Sequence, residues 1–591
     1  MARQNSQIKL ARKLCLGVSV SALFAMAAPF AVAQESGDES EASERRLGAI
    51  EVTATRREGV TVQDVPIAVT AFDAELLEKT DFNRLNDLEQ LSPSVQITQG
   101  QSASAGTSIS IRGIGTGADN FGFEPAVGVF VDGVYRTRTG SGIQELPELA
   151  GVEVLRGPQG TLFGRNTSAG VVSIRTAKPT FDTSGYASVS YGNFENLEAN
   201  VGFSGALSEN WAGRIDAKLR TRDGFIEDVN SDRTFNDIDR MAFRGQLLYE
   251  KGNTDLRLIV DYTQTDENCC TVTIGRIGAL GPLVQGIAGA NGLIGNLEPS
   301  SDNFWKVAAS PNRGYRDEVV DYGASLEINH EYDFAKLTSI TSLRNFDSIR
   351  DQDIDFSGID RALREGTTND DLYFTQELRL QGNTDRLDWL IGAFYLNEKI
   401  ETYDTIQFGN DADIFSDASF GAVTGALVGA PLTLYGTGII PGANPFLFTD
   451  TLGITPGGQP GGVVFSAFVP ALVEGATAAQ AEALGLNAAL GAGLISEADY
   501  IASLQAIGAG VAATFTPYLL PSTTAGTGGY DRFSQSTNAM SIFTHNEYML
   551  TDQLTLTAGL RYNYERKEIT ANLTGSSPSC GALQDPSVVA S

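Results

Sequence analysis

Between about residue 185 and residue 570, apolar and polar side chains take turns along the chain, and this period of two restricts the fold more than any other feature. In WAGRIDAKLR, Trp211, Ile215, Ala217 and Leu219 fall on one face and Arg214, Asp216, Lys218 and Arg220 on the other. Only a strand sends successive side chains to opposite sides. The pattern returns at Leu197, Ala199, Val201 and Phe203, at Met241, Phe243, Leu247 and Tyr249, and at Leu256, Leu258, Val260 and Tyr262. It appears again at Tyr322, Ala324, Leu326 and Ile328, and at Leu554, Leu556, Ala558, Leu560 and Tyr562. Eleven such segments can be counted, each near the length of a tilted membrane strand.

A soluble sandwich would alternate in the same way, so the connections decide. Short turns at 207–210, 250–254, 331–335, 381–386 and 550–553 alternate with longer loops near 222–239, 268–316, 346–370 and 405–537. Loops that grow on one side only are the mark of an outer-membrane barrel, with tight periplasmic turns and long outside loops. Past the N-terminal region no apolar stretch approaches about twenty residues without a charge or turn, so strands are the remaining way to cross a bilayer. The loop at 405–537, with a helical piece in ATAAQAEALGLNAALGAGL, reads either as a bulky excursion or as a lid over a binding mouth.

The first residues are an address. Arg3, Lys9, Arg12 and Lys13 precede the apolar run LCLGVSVSALFAMAAPF, and Ala31-Val32-Ala33 form a small-residue cleavage site, so residues 1–33 read as a secretory signal peptide. Residues 34–59 form a polar tail. Residues 60–178 then read as a compact α+β block: VPIAVTAF, SISIRGIG, VGVFVDGVY, GVEVLRG and GVVSIRT as strands, DAELLEKT and DFNRLNDLEQL as helices with Asp73 and Asp81 as N-caps. A globular block ahead of a wide barrel suggests a plug, because a wide lumen must be filled or it leaks.

A net charge of −30 argues against nucleic acid as a partner. The glycine-rich GPQGTLFGRN, flanked by Arg156 and Arg165, has the outline of a phosphate loop but lacks its Gly-Lys-Ser/Thr ending. Its glycines, Gly157, Gly160 and Gly164, together with Gly113 and Gly170, fit tight connections where backbone passes close to backbone. The two histidines, His330 and His545, lie far apart on expected strands, which offers no catalytic residues and no His-pair metal site. Cys15 leaves with the signal; Cys269 and Cys270 in an outside loop and Cys580 in the tail allow a disulfide within the adjacent pair or to Cys580.

Six ordered blocks resemble those of TonB-dependent outer-membrane receptors of the siderophore type: AIEVTATRRE at 49–58, DVPIAVTAF at 64–72, SISIRGIG at 108–115, VGVFVDGVY at 127–135, VEVLRGPQGTLFGRNTSAGVVSIRTAKP at 152–179 and LTLTAGLRYNYE at 554–565. The resemblance implies an antiparallel membrane β-barrel over 184–570, with about 11 of an expected 22 strands present, behind an N-terminal plug over 60–178. On that view 571–591 begins an extracellular loop and the sequence is half a barrel. It also implies a cell outer membrane location and energised uptake of a scarce nutrient, with a ferric siderophore leading as cargo, cobalamin or an oligosaccharide as alternatives, and no resident cofactor. A passive porin or adhesin-like barrel is the rival class. Ile50, Glu51, Val52, Thr53 and Ala54 take the place of the TonB box, a segment able to add as a strand to a partner's sheet edge, here that of TonB, itself energised through ExbB and ExbD. By the same resemblance Arg112 and Arg156 pair with carboxylates of the barrel wall, with Glu377 and then Glu547 as candidates, and the outer end of the plug meets the ligand, with Phe121, Phe123, Arg136 and Arg138 as contact candidates.

Overall fold

The structure, a computed structural model, describes Val52, Arg56 and residues 61–63, 65–82, 84–99, 107–117, 121–138, 145, 147–416 and 524–576. The expected signal peptide, four of the five TonB-box residues, the helical piece of the long loop and Cys580 lie outside the described residues.

The plug begins with β1 (Ala68–Asp73), which runs directly into α1 (Ala74–Lys79). Asp73 caps that helix as its type predicts, its Oδ1 accepting from the Leu76 amide at 2.9 Å. Asp81 does not cap a second helix. It turns the chain at φ +51°, and helix resumes only as a 3₁₀ turn at Leu85–Asp87 and a short α2 (Leu88–Leu91). There the Arg84 amide donates to the Asp87 carboxylate at 2.9 Å and the Asp87 amide donates back to the Arg84 carbonyl at 3.0 Å, which sets the start. Strands β2 (Val95–Gln99) and β3 (Thr107–Ile111) pair antiparallel. A five-stranded sheet follows in the order β1, β6 (Leu149–Arg156), β7 (Gly170–Thr176), β4 (Val127–Val131), β5 (Val134–Arg136). β4 and β7 run parallel and the other neighbours antiparallel. Both faces of the central strands are covered, which is why VGVFV is apolar without alternation. Val127, Val129, Val152, Val154, Val172 and Ile174 form the heart of its core.

The wall is a single eleven-stranded antiparallel sheet in which each strand pairs with the next: β8 (Ser184–Gly192), β9 (Asn196–Ser208), β10 (Trp211–Arg222), β11 (Ile238–Lys251), β12 (Thr254–Asn268), β13 (Arg316–Tyr332), β14 (Ala335–Asp353), β15 (Ala362–Asn383), β16 (Leu387–Phe408), β17 (Gly528–Thr551) and β18 (Leu554–Asn572). On one side every connection is tight, the first and last being 209–210 and 552–553; on the other lie 193–195, 223–237, 269–315, 354–361 and 409–527. The expected loop at 346–370 is therefore mostly strand. Its run of Asp, Asn and Arg reads as loop by composition, yet strands that rise past the lipid have polar surroundings on both faces and tolerate it. The outer connections carry a small sheet of Ile226–Asp228, Thr234–Phe235 and Lys306–Val307 and a helix, α3 (Gly281–Ala290).

The alternation resolves as lipid outside, charge inside. Ile215 is 55% exposed, while Arg214, Asp216 and Lys218 beside it are buried. Phe243, Val260 and Leu343 repeat the outward exposure, and Arg244, Arg257 and Arg344 the burial.

Candidate functional site: the plug and wall interface

The hairpin β4–β5 turns through Asp132 and Gly133 at φ +49° and +78°, the conformation for which Asp-Gly is suited in a two-residue turn. The turn carries Asp132 to the wall. Its carboxylate pairs with Arg244 of β11 and with Arg257 of β12 at 3.3 Å, and accepts from the amide and hydroxyl of Thr176, each at 2.9 Å. Burial raises the pKa of this carboxyl, but Arg257, Arg244 and the two Thr176 donors outweigh it and hold the group below its ordinary value.

Two charge sectors follow around the lumen. Toward β10 and β11 the wall is cationic and the plug supplies acids: Glu145 meets Lys218 at 3.2 Å, and Glu148 meets Arg214 at 2.5 Å. Toward β13, β15 and β16 the signs reverse. Arg136 faces Asp321 at 3.9 Å, the Thr137 hydroxyl donates to Asp371 at 2.7 Å, and Arg138 reaches Glu398 at 3.2 Å. Three consecutive plug residues thus meet acids on three different strands. Lower on β15, Glu377 lies 3.7 Å from Arg56, whose guanidinium also stacks on Phe163 at 4.4 Å; burial lowers its pKa to about 10, so it stays charged at neutral pH.

The expected charge lock is thus rearranged. Glu377 does face the plug, but it meets Arg56 rather than Arg112 or Arg156. Arg156 stays within the plug, donating to the Ser94 hydroxyl at 2.9 Å and to Thr70. Arg112 is exposed in a left-handed turn at φ +55°. Glu547 lies half-buried on β17 in register with Asp388 of β16. Of the expected ligand contacts, Arg136 and Arg138 are buried in the clamp, and Phe121 stacks on Phe346 of β14 with centroids 5.4 Å apart. Phe123 alone of the four stands open, at 59% exposure.

Among the expected structural glycines, Gly113, Gly157, Gly164 and Gly170 have positive φ, but a Cβ at Gly113 or Gly157 would find nothing within 4 Å, so these two serve a turn and not the expected close approach. Gly164, at +84°, also lies against the Arg561 guanidinium of β18, where a Cβ would collide. A Cβ at Gly170 would run into the Leu155 carbonyl. Gly160 differs, since a Cβ there would find its nearest neighbour at 3.9 Å. Val52, the one described residue of the IEVTA segment, is buried in an apolar cluster with Phe130, Leu155 and wall residues Leu390 and Phe543. Cys269 and Cys270 are joined to each other, so neither offers a thiolate beside the neighbouring Asp317. His330 and His545 lie on β13 and β17, the former 2.7 Å from the Thr254 hydroxyl.

Sequence reading passed over Arg56, Asp132, Glu145 and the lumen-facing Arg240, Arg244 and Arg257 of β11 and β12. The signal was present: the same parity that sends Ile215 outward sends Arg214 and Lys218 inward, and Asp-Gly between Val129-Phe130-Val131 and Val134-Tyr135 marks a turn tip.

A globular domain clamped by ion pairs against an antiparallel, lipid-facing wall defines the class of plugged outer-membrane barrels. More particularly, the plug is similar to that of TonB-dependent receptors, and the wall shares the fold of their barrels. Residues 61–171 match the TonB-dependent receptor plug domain family. A pesticin receptor of Yersinia enterocolitica is 28% identical over 170 residues, 29% of this chain and 25% of its own length. A ferrioxamine receptor of the same species is 24% identical over 190 residues, covering 31% and 26%. The ferric yersiniabactin uptake receptor of Yersinia pestis superposes with a TM-score of 0.56 at 13% identity, over 86% of this chain and 60% of that one, a likeness of fold. The aligned part thus spans about a quarter of these curated relatives. Among the described residues no helix is long and apolar enough to cross a membrane; the wall strands carry the lipid-facing surface of an outer-membrane protein.

Proposed function

We propose that the protein is an energised receptor for a scarce nutrient, best read as a ferric siderophore. The observation that carries this is the plug itself, a folded domain held in the lumen by separable ion pairs and an apolar contact at Leu390 and Phe543 of the wall. Such a seat is firm at rest and can be rearranged by force, whereas a passive porin has no use for it. A ferrioxamine receptor among the relatives supports iron chelates as the cargo class. Residues 50–54 would serve as the strand that TonB grips, with ExbB and ExbD supplying the energy. No bond is made or broken in the cargo.

Deleting residues 50–54 and following uptake of iron-labelled complexes into iron-starved cells tests the reading. Uptake should vanish while surface binding persists. Uptake that survives the deletion points to a passive barrel, and TonB-dependent uptake of cobalamin or a sugar, but not of iron complexes, reassigns the cargo.

A further inference from the structure

Glu145 is an unusual buried carboxylate. It is 4% exposed, and three wall cations converge on it: Lys218 at 3.2 Å, Arg240 at 3.6 Å and Arg220 at 3.8 Å. Yet neither of its oxygens accepts a hydrogen bond. The cations are better served elsewhere or equally served: Arg240 holds Glu267 through two contacts of 2.5 and 3.1 Å, and Lys218 lies 3.3 Å from Glu198. On the wall, Lys218 and Arg220 share one carboxylate, Glu198, at 3.3 and 3.9 Å, while Arg240 holds Glu267 with Asp317 also acting on it, and Glu145 of the plug supplies a further counter-charge to all three cations. Arg84 stands close enough to add to the repulsion on Arg220. A buried cation without a counter-charge is costly, so this place demands an anion. Glu145 meets the demand by charge but not by geometry. Lys218, Glu145 and Glu198 also line a cavity of about 660 Å³ between plug and wall, together with Glu148, Tyr186 and Phe82. That volume suits a small-molecule ligand.

We propose that Lys218, Arg220 and Arg240 form an oxyanion site on the wall, which Glu145 fills at rest and which a carboxylate- or phosphate-bearing ligand takes when Glu145 withdraws. The plug thus carries a resident competitor. An incoming oxyanion that makes the hydrogen bonds Glu145 lacks gains the stronger, charge-assisted contact. Use of the site by transported cargo rests on the receptor reading above; the site itself does not.

The test is equilibrium dialysis of the purified full chain against iron-labelled iron(III) citrate, which is anionic, and a neutral iron(III) trihydroxamate. Glu145→Gln should bind the citrate complex about tenfold more tightly than the unaltered protein, with affinity falling as salt rises, and leave the neutral complex unchanged. Citrate and phosphate without iron, as competitors, separate recognition of the bare oxyanion from recognition of the metal complex. An equal gain for both iron complexes would mean that the cavity had merely widened, and no gain at all would leave no site; either overturns the proposal. Because Glu145→Gln removes a buried counter-charge, Glu145→Asp guards against simple misfolding: it keeps the charge, shortens its reach and should give an intermediate gain. At matched ionic strength, phosphate should raise the thermal midpoint of Glu145→Gln more than that of the unaltered protein. An equal rise in both sinks the idea, whatever deletion of residues 50–54 does to uptake.

Discussion

The five-stranded sheet of the plug and the eleven-stranded wall are both β structures, yet they bury opposite chemistries. In the plug, Val127, Val152, Val154, Val172 and Ile174 are sealed from solvent. In the wall, Ile215, Val260 and Leu560 stand outside at 55%, 48% and 73% exposure, while Arg214, Asp216, Asp321 and Glu398 are hidden. The difference teaches what the surroundings of each sheet are. A plug is an ordinary folded domain driven together by apolar burial. The wall faces hydrocarbon, so its apolar residues need no core, and its interior can hold charge because counter-charges come both from the wall, as in Arg344 with Asp261, and from the plug, as in Asp132 with Arg257.

Substitutions can break that contrast. The largest effect is expected from Val154→Asp, which places a carboxylate in the sealed plug core and should cost about 4–5 kcal/mol or unfold the plug outright, seen as loss of protease resistance over residues 65–176. The same change at Ile215 should leave the plug intact in detergent. Next comes Asp132→Ala. It takes the shared carboxylate from Arg244 and Arg257, and removing one partner of such a buried pair costs about 3–5 kcal/mol, read from the thermal midpoint of plug release. If the midpoint does not move, the Asp132 contacts do not hold the plug. Phe243→Arg on the lipid face should weaken insertion into vesicles by about 2–4 kcal/mol if it sits near the midplane, with little change in detergent.

Acid sharpens the comparison further. The Asp132 carboxyl has a folded pKa below its ordinary value of about 3.9, so its contribution is complete above that pH and is lost as pH falls through the lower folded value. The stability gap between the unaltered protein and Asp132→Asn should therefore narrow below about pH 4. A gap that widens with acid would contradict the assignment. The smallest effect is expected at Phe123, where truncation to Ala of an exposed ring should alter stability by no more than about 0.5 kcal/mol, leaving any loss of ligand binding to be read separately.

Local pattern was legible wherever the surroundings acted on single residues. The strands of the wall and the Asp73 cap follow from the chemistry of one or two neighbours. The same local reading misjudged Asp81, whose side chain suits a cap but whose backbone turns left-handed, and the polar stretch after residue 346, where composition suggested a loop. The family resemblance, for its part, pointed to Arg112 and Arg156 for the wall contacts, whereas Arg56, Arg136 and Arg138 meet the wall carboxylates, because arginine looks the same along the chain whether it meets a wall or its own domain.

By itself, then, the sequence determined an antiparallel membrane sheet and a separate α+β domain before it, since side-chain period and turn chemistry are properties of adjacent residues. Tertiary structure alone decided which charges meet. Asp132 finds Arg257, 125 positions away, and Arg138 finds Glu398, 260 positions away. Coulomb interactions act through space and depend on register and seating, so the two opposed charge sectors and the place of Glu145 between three cations exist only once plug and wall are brought together.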